Sequence, residues 1–246
     1  MSPTVVLVSG ANRGLGKGLV QLYLAGPDHT VIAANRDPGS SSSKALSELP
    51  TGAGSRLIVI KVDASAETDA LEAIRTLTTK HGIDYIDIVV ANAGVTYTWP
   101  SVATLKVSDL QAHIEPNVYG CVWLYQATAP LLRKATNPRF INIGSTAGGL
   151  VDMLPIPNAA YGPSKAASHW LTKRMDAEEE KLAAFVISPG WVQTELGNAG
   201  AVYFGMKEAA VTVEDSCKGM VALIEKATKA THGGKIWGHE GDLLTW

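Results

Sequence analysis

Short apolar runs recur along the chain, each followed by a polar or glycine-bearing turn and then by a longer stretch of helical spacing. Val5-Val6-Leu7-Val8, Val31-Ile32-Ala33-Ala34, Leu57-Ile58-Val59-Ile60, Ile86-Asp87-Ile88-Val89-Val90, Phe140-Ile141-Asn142-Ile143 and Ala183-Ala184-Phe185-Val186-Ile187 read as strands. Their nearly unbroken apolar character is that of parallel strands covered on both faces. Lys235-Ile236-Trp237 reads as a final short strand. Helices are predicted from the first glycine-rich turn to about Ala25, after Ser65, from a capping box at Ser108-Asp109-Leu110-Gln111 to about Lys134, over about 161–182, and from Thr212-Val213-Glu214-Asp215. Alternating strands and helices imply an α/β fold: a doubly wound, Rossmann-type parallel sheet of about seven strands with helices on both faces. The Ser40-Ser41-Ser42-Ser43 run reads as a mobile loop. No linker or repeat divides the chain, so residues 1–246 are expected to form one domain.

Composition narrows the partners. With 246 residues, 46% of them hydrophobic and 18% charged, one large core is available. A formal net charge of −2 gives no electrostatic case for nucleic acid or an anionic membrane. No apolar run approaches the ~20 residues a membrane helix needs. Met1-Ser2-Pro3-Thr4 leads straight into the first strand without the pattern of a secretory signal. Cys121 and Cys217 lie far apart, which suits a reducing, cytoplasmic setting. The six histidines show no metal-ligand spacing, so no metal is expected. His239-Glu240 and Glu178-Glu179-Glu180-Lys181 read as solvated surface charge.

The chemistry begins directly after the first strand. Ser9-Gly10-Ala11-Asn12-Arg13-Gly14-Leu15-Gly16 has the spacing G-x-x-x-G-x-G, a variant of the dinucleotide fingerprint. Glycines there allow a tight strand-to-helix turn and bring backbone N–H groups close to a pyrophosphate at the helix N-terminus. An NAD enzyme would place a carboxylate at the end of the second strand for the ribose hydroxyls. Asn35 and Arg36 stand there instead. Arg36 offers a planar fork to a 2′-phosphate, and Arg13 a second charge, so NADPH is expected over NADH. Two alternatives stay open: Arg36 as a plain surface arginine, and Asp37 as its partner or as a ribose ligand.

Tyr161-Gly162-Pro163-Ser164-Lys165 presents Y-x-x-x-K, which on a helix puts Tyr161 and Lys165 one turn apart on one face. Pro163 is tolerable only near that helix's start. Ser145 lies just beyond the fifth strand, where ligands collect in such sheets. With Ala91-Asn92-Ala93-Gly94, Asp63, Asn117 and Pro189-Gly190-Trp191-Val192-Gln193-Thr194, these motifs resemble the short-chain dehydrogenase/reductase family over nearly the whole chain. Leu110-Gln111-Ala112-His113, the 189–194 segment and Thr212-Val213-Glu214-Asp215-Ser216 resemble the fungal ketoreductases of secondary metabolism, of the norsolorinic acid ketoreductase type. Two departures stand out: Ala91 replaces the first Asn of many members, and Ser145 and Tyr161 are spaced more widely than usual. The loop 146–158 is therefore expected to bulge into the substrate site.

The resemblance implies a carbonyl reductase in which Tyr161 donates its phenolic proton to a ketone oxygen and Ser145 hydrogen-bonds that oxygen. Lys165 would lower the phenol's pKa. It would also bind the nicotinamide ribose, while Asn117 anchors a proton-relaying water. Gly10, Asn12, Arg13, Gly14, Leu15 and Gly16 would meet the phosphates, with Asn35 and Arg36 at the adenosine ribose. Asp63 and Ala64 would lie beside the adenine, and Asn92, Gly94, Tyr161, Lys165, Pro189, Gly190, Val192 and Thr194 around the rest. Taken singly, Asp63 also reads as a turn cap and Asn117 as a buried helix amide. The segments 95–99, 146–158 and 191–210 would border the substrate. They bring Tyr97, Trp99, Val151, Met153, Trp191, Tyr203 and Phe204, an apolar lining for a hydrophobic aryl or cyclic, polyketide-like ketone. Packing of the loops alone is the blander reading of these side chains. The resemblance further implies a homodimer or tetramer. Three alternatives share the scaffold: an NAD-linked secondary alcohol dehydrogenase, a redox-neutral enzyme such as a dehydratase, and a non-catalytic nicotinamide sensor.

Overall fold

A computed structural model describes residues 2–246. β1 (Thr4–Ser9), α1 (Gly14–Ala25), β2 (His29–Asn35), a short α2 (Ser41–Lys44), β3 (Arg56–Lys61), α3 (Asp69–His81) and β4 (Ile88–Ala91) form the first half. Then come α4 (Val107–Ile114), a π-helical turn (Glu115–Tyr119), α5 (Gly120–Leu132), β5 (Arg139–Ile143), α6 (Tyr161–Glu178) and β6 (Ala183–Ser188). The chain closes with α7 (Glu195–Tyr203), α8 (Val213–Lys226), α9 (Lys229–His232), β7 (Ile236–Gly238) and β8 (Leu243–Leu244).

Among the described residues one sheet has the order β3-β2-β1-β4-β5-β6-β7-β8, parallel except for the β7–β8 pair. The chain walks outward from β1 to β3, then returns to lay β4 on the other side of β1. That reversal opens a crevice at the strands' C-terminal ends. In β1, Val5 and Leu7 enter a core with α3 and α5, while Val6 and Val8 enter another with α1 and α8. Two cores on one sheet explain why the strands read as continuous apolar runs.

Several local expectations give way to the structure. The predicted capping box at Ser108–Gln111 does not form. Lys106 is the extended residue before α4 and gives no side-chain cap, so Ser108 already lies inside the first turn. The long helix is not uniform either. Pro116 has no N–H to donate, and the backbone widens there until Gly120 N donates to Glu115 O, five residues back. α3 begins at Asp69, four positions beyond Ser65, whose N–H is spent on Asp63 Oδ1. The serine run is a turn of helix: Ser40 caps it, and the Ser40 and Ser43 hydroxyls both donate to Asp37 O. Glu179 is not merely solvated, since it accepts from Arg133 and from Tyr125 Oη at 2.9 Å, tying α5 to the end of α6. Thr212 caps α8 as expected, accepting from Asp215 N at 3.0 Å.

Candidate active site

The crevice floor is built by the turn between β1 and α1. Gly10 and Gly14 have φ of 63° and 51°, left-handed values that a side chain disfavours. A Cβ on Gly16 would lie 2.2 Å from Gly10 O. Ser9 and Asn92 stitch β1 to β4 beneath the turn: Asn92 Nδ2 donates to Ser9 O at 2.8 Å, and Ala93 N donates to Ser9 Oγ at 3.0 Å. Arg13 precedes α1 without capping it, and no acidic residue sits in the first turn. The N-terminal N–H groups of α1 therefore have no side-chain acceptor, which suits an anion.

At the end of β2, Asn35 is fully buried, and its Oδ1 accepts from Ala11 N at 2.9 Å. Its Nδ2 has no partner. Arg36 is exposed and in no ion pair among the described residues. Asp37 does not engage it, because the Asp37 carboxylate takes the Gly39 N–H at 2.8 Å. Asn12 reaches across to Ser42 Oγ at 2.8 Å, and Arg13 pairs with Glu195 of α7, linking the glycine turn to the opposite wall. Asp63 is half-buried and caps its own turn through Ser65 N, with Ala64 packed against Gly120. Gly190 has a left-handed φ of 79°, and Thr194 lies against Gly14 while capping α7 through Gly197 N. Pro189 O accepts from Ser216 Oγ at 2.8 Å, and Val192 is buried.

Four side chains converge beyond β4 and β5. Pro163 lies within the first turn of α6, which puts Tyr161 at its mouth and Lys165 one turn inward. Lys165 Nζ donates to Ile143 O at 2.7 Å and stands 5.6 Å from the Tyr161 ring centroid. A Cβ on Gly94 would lie 3.2 Å from Asn117 Oδ1 and 3.7 Å from Lys165 Nζ. Asn117, inside the π turn, accepts from Val95 N at 2.8 Å and donates to Val95 O and Ser164 Oγ. The widened turn thus aims this amide at both the β4 loop and α6. Ser145 Oγ accepts from Ala147 N at 3.1 Å, leaving its own proton to give.

Burial governs the titration of this group. It raises the Tyr161 phenol to about 12, a rise that the Ser145 hydrogen bond only partly opposes. The lowering anticipated from Lys165 does not prevail. Burial also drops Lys165 to about 8. At neutral pH Tyr161 is therefore a protonated donor beside a charged ammonium.

The side chains expected to border a substrate divide into two groups. Trp99 packs on Tyr203 and Phe204 with ring centroids 4.9 and 6.0 Å apart, and Phe204 meets Trp191 at 6.2 Å. Trp191 Nε1 donates to Gly197 O at 2.8 Å. Val151 and Met153 are instead 72% and 74% exposed on the 146–158 loop. That loop is held by the chain's last residues, with Val151 N donating to Trp246 O at 3.1 Å. Tyr97 is exposed, its ring edge-on to His113 at 5.2 Å.

Two buried histidines in this region escaped the sequence reading. His113 Nε2 accepts from Tyr97 N at 3.1 Å, and His169 Nε2 from Ser145 N at 3.3 Å. The available signal was spacing: His113 stands four before Asn117, and His169 four after Lys165. Among the described residues no cluster of three or more His, Cys, Asp or Glu could hold a metal, and no helix is long and apolar enough to cross a membrane.

A doubly wound sheet with a glycine turn at its switch point and a Ser-Tyr-Lys set beyond it defines a nucleotide-dependent oxidoreductase scaffold. The sequence pattern of the short chain dehydrogenases matches residues 4–202, and the chain belongs to that family. It is 43% identical to the norsolorinic acid ketoreductase of Dothistroma septosporum, over 99% of this chain and 92% of the relative. It is 39% identical to the norsolorinic acid ketoreductase of Aspergillus parasiticus, over 99% and 91%. Among solved structures, NADPH-bound carbonyl reductase from chicken fatty liver superimposes with a TM-score of 0.87 at 27% identity, covering 100% of both chains.

Proposed function

We propose that this chain is an NADPH-dependent ketoreductase that reduces a hydrophobic aryl or cyclic, polyketide-like ketone to a secondary alcohol, with Tyr161 as the general acid. The observation that carries the reading is the convergence of Ser145, Tyr161, Lys165 and Asn117 at the strand ends, next to an uncapped helix N-terminus. The reduced dinucleotide supplies the hydride. Residues around the crevice fit its parts: the α1 N-terminus for the pyrophosphate, unpaired Arg36 for a 2′-phosphate, and Gly94 with Lys165 for the nicotinamide ribose. Arg13 would join Arg36 only by leaving Glu195.

The chain's own groups handle the proton. As charge grows on the ketone oxygen, Tyr161 gives its Oη proton and Ser145 gives a hydrogen bond. Burial raises the phenol to about 12, so at neutral pH Tyr161 carries the proton that the reductive step consumes. Lys165 then replenishes the phenol by way of solvent reached past Asn117. The aromatic group Trp99, Trp191, Tyr203 and Phe204 rewards burial of flat apolar area at roughly 25 cal/mol per Å². A homodimer or tetramer, with Tyr119 and Trp170 on outward helix faces, belongs to the same reading and is tested by sedimentation.

Relative kcat/KM with NADPH tests the substrate class. Tetralones, hydroxylated naphthalenones and anthraquinones should outrun short aliphatic ketones, sugars and acyl thioesters. A charged or small aliphatic substrate at the head of the series would sink it.

A further inference from the structure

The strand β5 ends at Ile143, and Gly144 N still donates to the sheet, to Ile187 O at 2.8 Å. The next N–H, that of Ser145, has no strand carbonyl to meet. His169 Nε2 takes it at 3.3 Å. His169 is buried on α6, one turn beyond Lys165 and two beyond Tyr161, on the same face. The backbone from 144 to 148 wraps this ring. A Cβ on Gly144 would lie 2.5 Å from His169 Nε2, and one on Gly148 would lie 2.9 Å from Cε1. Both glycines are therefore what lets the loop come so close. From behind, the Trp246 ring meets His169 at 6.1 Å.

We infer that His169 is a positioning residue for Ser145: its neutral Nε2 fixes the backbone where the chain leaves the sheet, and so aims the Ser145 hydroxyl at the reacting oxygen. This rests on the reading that Ser145 hydrogen-bonds a ketone oxygen. Ser145 sits in extended backbone, φ −168° and ψ 143°, and its Oγ is held by Ala147 N. With the amide pinned as well, the side chain's remaining freedom is rotation of the O–H. An acceptor at Nε2 needs an unprotonated nitrogen, and burial with the neighbouring Lys165 charge lowers His169 to about 3. The ring stays neutral wherever the enzyme is folded and working. Helix α6 then carries three aligned groups: Tyr161 as donor, Lys165 as charge, and His169 as the support of the second donor.

The test pairs kinetics with hydrogen exchange. His169→Leu removes the acceptor at similar bulk, and His169→Gln keeps an acceptor near the Nε2 position. With NADPH and α-tetralone, His169→Leu should lower kcat about ten-fold, the scale of one lost hydrogen bond. NADPH affinity by fluorescence should stay within about two-fold, and His169→Gln should recover kcat to within about three-fold. In a Ser145→Ala background the effect of His169→Leu should vanish, as expected when one residue acts only through the other. Equal losses in both backgrounds, or an unchanged kcat in His169→Leu, would overturn the inference. If Ser145→Ala alone keeps full activity, the ketone-oxygen role of Ser145 fails instead. Should His169→Leu not fold, His169→Phe replaces it. Amide exchange at Ser145 is read independently of turnover. It should be slow in the wild type and His169→Gln and faster by at least ten-fold in the variant lacking the acceptor; no change there would also overturn it.

Discussion

At Tyr161 a single phenol is pulled in two directions, and burial outweighs the hydrogen bond from Ser145. A protonated phenol is what a reduction needs. Tyr161→Phe keeps the ring and removes the proton; kcat is expected to fall at least about 10²-fold with NADPH affinity kept, and retention of more than roughly a tenth would refute the role. Lys165 shows the opposite balance. Its folded value of about 8 lies below the ordinary 10.5, so the unfolded chain holds that proton more tightly. The penalty on folding is complete below pH 8 and lifts between about 8 and 10.5. It is on the order of 3 kcal/mol at neutral pH, by the free energy of each shifted unit. Lys165→Met is thus expected to abolish turnover yet raise Tm by roughly 4–8 °C, after about 1 kcal/mol is lost with the bond to Ile143 O. A calorimetric Tm at or below that of the wild type would contradict this. Wild-type kcat/KM should also fall as pH rises through about 8, where the ammonium loses its charge. Arg36 belongs to the same scale: exposed and in no ion pair among the described residues, it is worth a charge-assisted bond only to a bound phosphate. Arg36→Ala should raise the KM for NADPH ten-fold or more and leave that for NADH almost unchanged. Equal effects on both would make it a plain surface residue.

Elements owe their placement to backbone geometry more than to propensity. Gly10, Gly14 and Gly16 let β1 turn directly into α1, and the closest approach is at Gly16, where a methyl would strike Gly10 O at 2.2 Å. Gly16→Ala should therefore open the turn, weakening NADPH binding by ten-fold or more in a fluorescence titration while kcat at saturation changes little. An unchanged dissociation constant would show that the turn has slack. The π turn at Glu115–Tyr119 works in the same way: a proline that cannot donate widens the helix, and Asn117 is delivered to Val95 and Ser164. The apolar spacing alone predicts an uninterrupted helix through this segment; Pro116, which has no N–H to donate, is the local signal of the break.

At the scale of the molecule, the aromatic cluster proposed to meet the substrate is assembled from distant parts of the chain. Trp99 follows β4, Trp191 follows β6, and Tyr203 and Phe204 end α7, yet their rings touch. Arg13 and Glu195 add a charged strap between the glycine turn and α7. Trp99→Ala should loosen the α7 side and raise KM for an aryl ketone about ten-fold, leaving NADPH affinity intact. A change in kcat alone would place Trp99 elsewhere in the mechanism. Val151 and Met153 stand apart from this aromatic group: both are exposed, on a loop tied to Trp246.

The chain's pattern determined the sheet, its strands, the glycine turn and the Tyr161–Lys165 pair, because each is written in local spacing: continuous apolar runs, glycines at fixed offsets, side chains one helical turn apart. What lay beyond it depends on contacts between segments far apart in sequence. Burial, not the nearest charge, decided the state of Tyr161. Packing of α6 beneath the 144–148 loop made His169 an acceptor for Ser145. Neither has a local signature, since desolvation and hydrogen-bond partnership exist only once the chain has folded around the group.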